Sequence, residues 1–420
     1  MDITLSPCAL SGSVSDVIAS KSMAHRAFIC AALADRPTKI ECNSSSNDIT
    51  ATVSVLRSIG AGIDIDGSIY TVTPITKIPS EQVEIDFGES GSTMRFMLPV
   101  LGALGIKAKM ITHGRLTTRP LSPLYEELTV HGMKLSAQGK CPLYCEGRLA
   151  GHDFSINGSV SSQFISGLLF ALAIMGGGKI IVQGKLESAS YVDLTTDMLK
   201  TFGVTVIKNG SVFTVSHSKI VSPDYIRVEG DWSNAAFWLA AGALSKDGIT
   251  VSPLNTQSIQ GDRAITDILS SFGANVTIGD NSVTVKRNTL KATVIDAADI
   301  PDLVPVISVV AAACEGETLI NNVARLRFKE SDRVATVCEM LSVLGIQTRS
   351  DENTLTVCGG ALGGGSVDSH NDHRIAMSAA VASCASLDEV TVLDAGAVNK
   401  SYPNFFEEIE KLGAKIRKEQ

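Results

Sequence analysis

The 420-residue sequence lacks the marks of several large protein classes. It has no basic excess: 36 Lys and Arg stand against 44 Asp and Glu, a net charge of −8, which argues against a nucleic-acid surface. No apolar run reaches the ~20 residues that span a bilayer, and the N-terminus lacks a signal peptide's basic-then-apolar layout. Its nine cysteines form no CxxC pair, and the closest two, Cys141 and Cys145, have no histidine cluster beside them, so no metal site is expected. There is no Walker lysine loop and no GxGxxG after a strand. The chain is therefore expected to bind no nucleic acid, membrane, metal or cofactor, and to work in the reducing cytoplasm. At 420 residues with 44% hydrophobic content it exceeds one core and predicts at least two domains.

What is present is periodic. Polar heads precede apolar helical runs at Ser22, Ser92, Ser162, Ser233, Asp302 and Asp372, at intervals of 70, 70, 71, 69 and 70. A second series, Gly60, Gly132, Gly203, Gly273, Gly345 and Gly413, recurs at 72, 71, 70, 72 and 68. Glycine just past a helix end is a common cap, so each of these predicts a helix stop. One supersecondary unit is thus used six times. Short alternating segments after each glycine, such as Ile63-Asp64-Ile65 with Ile69-Tyr70-Thr71-Val72, read as hairpins, and each unit reads βαβαββ. The sixth unit ends one strand short, and Asp2-Ile3-Thr4-Leu5 has the pattern to supply it. Three repeats over 13–227 are expected to form one domain, and 1–12 plus 228–420 the other, with a cleft between them that hinge closure could shut.

The run Lys21-Ser22-Met23-Ala24-His25-Arg26 places two cations at a helix start, where unpaired backbone N–H groups already favour an anion. Arg95, Arg119, Lys329, Arg333, Arg374 and Lys400 also read as lying at or beside helix heads. A surface salt bridge would account for any one of them. Together, in an acidic protein, they suggest a focused positive field and a small polyanionic substrate. Asp302 and Glu330 stand among these cations and could accept a substrate proton, although Asp302 could instead cap its helix, the role expected of Asp332. His373 could donate a proton, bind phosphate or cap. The remaining means of catalysis are positioning and charge.

The ordered motifs Lys21-Ser22-x-x-x-Arg26, Gly91-Ser92-x-Met94-Arg95, Arg119-Pro120, Ser161-Ser162-Gln163, Lys329-Glu330-Ser331-Asp332-Arg333, Asn371-Asp372-His373-Arg374 and Lys400-Ser401-Tyr402-Pro403 resemble the 3-phosphoshikimate 1-carboxyvinyltransferases over the whole chain. The resemblance implies a two-domain inside-out α/β barrel, each domain three βαβαββ repeats around buried parallel helices. It implies transfer of the enolpyruvyl group of phosphoenolpyruvate to the 5-hydroxyl of 3-phosphoshikimate by a monomer without a cofactor. It further implies that Ser22, Arg26, Ser161, Ser162, Gln163 and Ser188 bind 3-phosphoshikimate, mainly in the first domain. Gly91, Arg119, Arg333, Arg374 and Lys400 would hold phosphoenolpyruvate. Asp302 would be the base on the 5-hydroxyl, Lys329 would lie at the junction of the substrates, and Lys21, Glu330 and His373 would be candidates for protonating the methylene. Glu89-Ser90 replaces the family's frequent Asn-Ala, and Arg325 a frequent Asn. The sister enzymes acting on UDP-N-acetylglucosamine carry a reactive Cys in the loop that here reads His113-Gly114-Arg115-Leu116-Thr117-Thr118-Arg119-Pro120, without one. A non-catalytic phosphate binder on the same scaffold would be expected to lack Asp302, Lys329 or Glu330, and all three are present.

Overall fold

In a computed structural model of the chain, which describes residues 1–419, the backbone divides into two compact units. The first is Ala19–Val228, and the second joins Met1–Ile18 to the chain from Glu229 onward.

The first unit holds α1 (Lys21–Ala32), α2 (Asn47–Ser58), α3 (Gly91–Leu104), α4 (Leu124–Val130), α5 (Ser162–Met175) and α6 (Ala189–Thr201). The second holds α7 (Trp232–Leu244), α8 (Ile265–Ser271), α9 (Val304–Ala312), α10 (Arg333–Val343), α11 (His373–Ala382) and α12 (Phe405–Lys411). The odd-numbered helices are the apolar runs of the sequence. Every residue of α9 is buried, as a helix apolar nearly all round must be, and every residue of α11 is buried too, His373 and Arg374 at its head included. In the first unit Phe96 of α3 meets Phe170 of α5 edge-on, with centroids 5.8 Å apart, and its ring also receives the Arg26 guanidinium at 4.9 Å. Polar heads close several of these helices: Asp231 accepts from the Asn234 N–H, Asp372 from Arg374 and Ser161 from Gln163.

Each unit carries three four-stranded sheets, and all six share one pattern, a parallel pair followed by two antiparallel pairings. In the first sheet the order is Tyr225–Arg227, Thr38–Glu41, Ile69–Thr73, Gly62–Asp66. The six repeat glycines all lie at positive φ, between 80° and 109°, the left-handed cap that the sequence calls for. The sixth repeat is completed as expected. Asp2–Leu5 runs antiparallel to Ile416–Glu419, with Leu5 opposite Ile416, and its other edge pairs with Val390–Leu393.

The first crossing between units falls after Ile18 rather than at residue 12, because Gly12–Val14 is hydrogen-bonded in parallel to Ile249–Val251 of the second unit. Reciprocally, Tyr225–Arg227 pairs with Thr38–Glu41 of the first. The strand preceding α1 thus belongs with the repeat of α7, and the strand preceding α7 with the repeat of α1.

Candidate functional site

In the second unit the sequence-expected residues gather around one carboxylate. Asp302 lies just before α9 in a turn, and Leu303 rather than Asp302 occupies the N-cap, so the capping alternative for Asp302 does not hold. Its carboxylate accepts from Arg333 Nη1 at 2.6 Å, Arg374 Nη2 at 3.1 Å and Lys329 Nζ at 3.5 Å. Burial favours the neutral acid, but Arg374, Lys329 and Arg333 outweigh it and hold the carboxyl well below the usual range. The same Arg333 spans three acids. Its Nη2 reaches Glu330 at 2.7 Å and its Nε reaches Asp372 at 2.8 Å, and these carboxylates overcome burial to hold the guanidinium well above its ordinary pKa. Burial lowers the Lys329 ammonium, opposed first by Asp302. Lys400 donates to the Asn371 carbonyl at 2.6 Å, and His373 Nδ1 lies 3.8 Å from the Asp372 carboxylate.

Three of the cations reach helix heads from short turns rather than from the helices themselves. Arg119, Lys329 and Lys400 end short 3-10 turns, over Gly114–Thr118, Ala324–Phe328 and Ala395–Lys400. These turns follow the second strand of a repeat and lead toward α4, α10 and α12. Turns of five or six residues are too short for an apolar period, so their place in the repeat is the one signal the sequence offers.

In the first unit the residues form two adjoining groups. Lys21 pairs with Asp48 at 2.7 Å. Arg26, buried on α1, donates to the Ser22 carbonyl at 2.5 Å, Thr195 Oγ1 at 2.8 Å and the Tyr191 carbonyl at 2.6 Å, and burial draws it down to about 10. Ser188, in the left-handed region at φ 52°, precedes α6 and accepts from the Tyr191 N–H, so Arg26 and Ser188 share one helix end. The other group surrounds Gly91. A methyl there would lie 2.7 Å from Arg119 Nη1 and 2.8 Å from Arg95 Nη1, so both guanidiniums press on the head of α3. Arg95 also donates to Gln163 Oε1 at 3.2 Å, and Gln163 Nε2 to Ser92 Oγ at 2.8 Å, which joins the heads of α3 and α5. Ser161 caps α5 and Ser162 opens it.

Two acids were missed by sequence reasoning as members of the site. Asp372 reads as a cap, and it is one, but it is also the buried counter-ion of Arg333. Asp262, buried in the turn Gly261–Ala264, bonds to Ser233 Oγ. Burial, with Asp302 adding to it, pushes its carboxyl up to about 7 against the pull of Arg374. Its signal was its place in the repeat, in the turn equivalent to those bearing Arg119, Lys329 and Lys400. Arg325 donates to the Ala298 carbonyl at 3.1 Å. Among the described residues no group of three or more His, Cys, Asp or Glu is placed to hold a metal, and no helix is long and apolar enough to cross a membrane.

The sequence model of EPSP synthase (3-phosphoshikimate 1-carboxyvinyltransferase) matches residues 6–409. A Clostridium perfringens 3-phosphoshikimate 1-carboxyvinyltransferase is 41% identical over 424 aligned residues, covering 99% of both chains. One from Clostridium acetobutylicum is 40% identical over 99% of this chain and 98% of its own. Among solved structures, EPSP synthase from Acinetobacter baumannii superposes with a TM-score of 0.81 at 25% identity, covering 99% of this chain and all of that one. The enolpyruvyl transferase NikO from Streptomyces tendae, at 19% identity, shares the fold with a TM-score of 0.77 over 99% of this chain and 98% of its own. By descent along its whole length, and with the two-unit α/β fold of these transferases, the chain belongs to the EPSP synthase family.

Proposed function

We propose that the two groups of residues divide one reaction between them. As a family member the enzyme transfers the enolpyruvyl group of phosphoenolpyruvate to the 5-hydroxyl of 3-phosphoshikimate and releases phosphate, a step of aromatic amino acid biosynthesis. On our reading, Ser22, Arg26, Ser161, Ser162, Gln163 and Ser188 take 3-phosphoshikimate. Arg333, Arg374 and Lys400, joined by Gly91 and Arg119, take phosphoenolpyruvate, and Asp302 receives the hydroxyl proton. The observation that carries this reading is the Asp302 carboxylate held by Arg333, Arg374 and Lys329.

Those contacts supply a mechanism for changing its basicity. An anionic substrate competes with Asp302 for Lys329 and Arg374, and each cation it draws away raises the carboxylate's proton affinity. The base is then strongest when both substrates are in place. Transfer proceeds by addition and elimination. The hydroxyl oxygen adds to C2 of phosphoenolpyruvate as its proton passes to Asp302, and the methylene gains a proton. Loss of phosphate and of a methyl proton then restores the double bond. Lys21, Glu330 and His373 are the groups for that methyl traffic. Glu330 and His373 both lie within the Arg333–Asp372 network, whereas Lys21 is tied to Asp48.

We propose a monomer, since one chain carries both groups, and a cytoplasmic setting, which suits nine free thiols. The test is phosphate release from the two substrates by wild type and Asp302→Ala without added metal. Release that requires 3-phosphoshikimate and disappears in the variant supports the assignment, and undiminished release by the variant refutes it. Light scattering on the same sample reads the oligomer, and a dimer mass would refute the monomer.

A further inference from the structure

The nine thiols differ widely in character. Burial pushes Cys42 and Cys145 up to about 11, Cys314 to about 12 and Cys30 higher still, which leaves them inert core groups. Cys141 is exposed.

Cys8 lies between the strands Asp2–Leu5 and Gly12–Val14, where the chain runs past the C-terminal end of α11. Its N–H donates to the Ser383 carbonyl at 3.2 Å, and its sulfur lies 3.5 Å from Ser383 Oγ. The Ser383 carbonyl belongs to the peptide bond leading into Cys384, so the backbones of Cys8 and Cys384 lie side by side. Both cysteines are half-buried against the core of the second unit, so small oxidants can reach them while their backbones stay fixed. Backbones this close fall within the Cα spacing of ~4.4–6.8 Å that a disulfide spans, so side-chain rotation alone can bring the sulfurs to ~2.05 Å.

We infer that Cys8 and Cys384 form an oxidisable dithiol, a modification site at which a peroxide-class oxidant closes an intramolecular disulfide between the N-terminal segment and the end of α11. The two sulfurs have unequal parts. The Cys384 thiol draws the Cys8 thiol down to about 7 against the effect of burial, with Ser383 helping, so much of Cys8 is thiolate at neutral pH. Its neighbour Cys384 is held well above the ordinary thiol range and keeps its proton. Cys8 is therefore the nucleophile and Cys384 the resolving thiol.

The chemistry balances. The Cys8 thiolate attacks one peroxide oxygen and breaks the O–O bond, which gives a sulfenic acid and hydroxide. The Cys384 sulfur then attacks the Cys8 sulfur, the S–O bond breaks, and the Cys384 proton leaves with the oxygen as water. Overall two thiols and one hydrogen peroxide give a disulfide and two waters, two electrons passing from sulfur to oxygen.

The test uses the full-length chain, reduced, desalted, titrated with hydrogen peroxide and quenched with N-ethylmaleimide before peptide mapping. A linked pair joining the Cys8 and Cys384 peptides is expected, two hydrogens lighter than the separate thiols. Free thiols should fall from nine to seven, and dithiothreitol should restore them. Cys384→Ser should strand Cys8 as a sulfenic acid that dimedone traps, and Cys8→Ser should leave Cys384 open to alkylation. Oxidation of Cys141 before the pair would mean that exposure alone governs reactivity and would overturn the proposal. Cys8 found linked to another cysteine, or driven to sulfinic acid without linkage, would overturn it as well. The wild-type map decides the question even if a variant fails to fold.

Discussion

Arg26 in the first unit and Arg333 in the second are both buried on helices, and both are proposed to face anionic substrates. Their surroundings are opposite. Arg26 donates to three uncharged oxygens, of Ser22, Thr195 and Tyr191, and is drawn down to about 10. Arg333 donates to three carboxylates and is held well above its ordinary value. A charge oriented by dipoles alone keeps its field for a ligand, and so suits a phosphate dianion. A charge matched by three acids keeps less field for a ligand, and besides its proposed hold on phosphoenolpyruvate it fixes those acids, Asp302 above all, in one geometry. On the proposed roles, the first unit attracts the substrate and the second holds acids and bases in place.

The largest expected effect tests the base. Asp302→Ala should lower kcat by roughly 10²–10⁴-fold, the usual contribution of a general base, with folding retained by circular dichroism. A drop of less than ten-fold would move proton abstraction to another group and break the division of roles. Next comes the contrast itself. Arg333→Met strands Asp372, which is wholly buried, and should cost the second unit about 3–5 kcal/mol in urea unfolding. Arg26→Met leaves only neutral acceptors unpaired and should cost the first unit about 1–3 kcal/mol. Equal losses would show that the two arginines do the same job.

Much of this architecture is legible in the chain because it repeats. The glycines from Gly60 to Gly413 recur where only a left-handed residue closes the helix, and the apolar runs recur where a helix must be buried. Even the missing sixth hairpin strand could be found, since Asp2–Leu5 carries the right alternation. Only half of the strand exchange was legible. The expected boundary at 227 keeps Tyr225–Arg227 with the first unit, but the one at 13 splits Gly12–Val14, a three-residue strand, and nothing local says which neighbour a short edge strand takes. The setting of Asp262 was not legible, because a lone acid between Gly261 and Arg263 looks like any turn aspartate. Family resemblance supplied the roles of Ser188 and Lys400, which their own neighbours in sequence do not disclose.

Asp262 sharpens the comparison through pH. Its carboxyl stands at about 7 in the fold against 3.8 in the unfolded chain. Between those values the folded chain keeps a proton that the unfolded chain has released, so stability falls as pH rises through the window and is level above it. Asp302, held below the usual range, acts oppositely, and its contribution is lost only as pH falls below about 4. Asp262→Asn should abolish the slope between about pH 4 and 7, a change of the order of a few kcal/mol across that window. A urea series over that range would show it, and an unchanged slope would assign the titration elsewhere in the Asp262–Asp302–Arg374 group.

The smallest effect concerns the head of α3. Gly91→Ala places a methyl within 2.8 Å of two guanidinium nitrogens, too close to coexist with them. The atoms that must yield are the flexible ends of Arg119 and Arg95, not backbone, so the fold should tolerate the change. What moves is the cation set proposed for the smaller substrate, and the KM for phosphoenolpyruvate should rise roughly ten-fold, worth about 1.4 kcal/mol. Affinity for 3-phosphoshikimate, measured calorimetrically, should stay within about two-fold, since Arg26 and Ser188 are anchored on α1 and α6 rather than on α3. Arg95 also grips Gln163, so a shift large enough to drag that side chain would weaken both ligands together. Parallel losses would therefore place Gly91 in the 3-phosphoshikimate group, whereas a loss confined to phosphoenolpyruvate would show that the Arg119–Gly91 contact belongs to the smaller substrate alone.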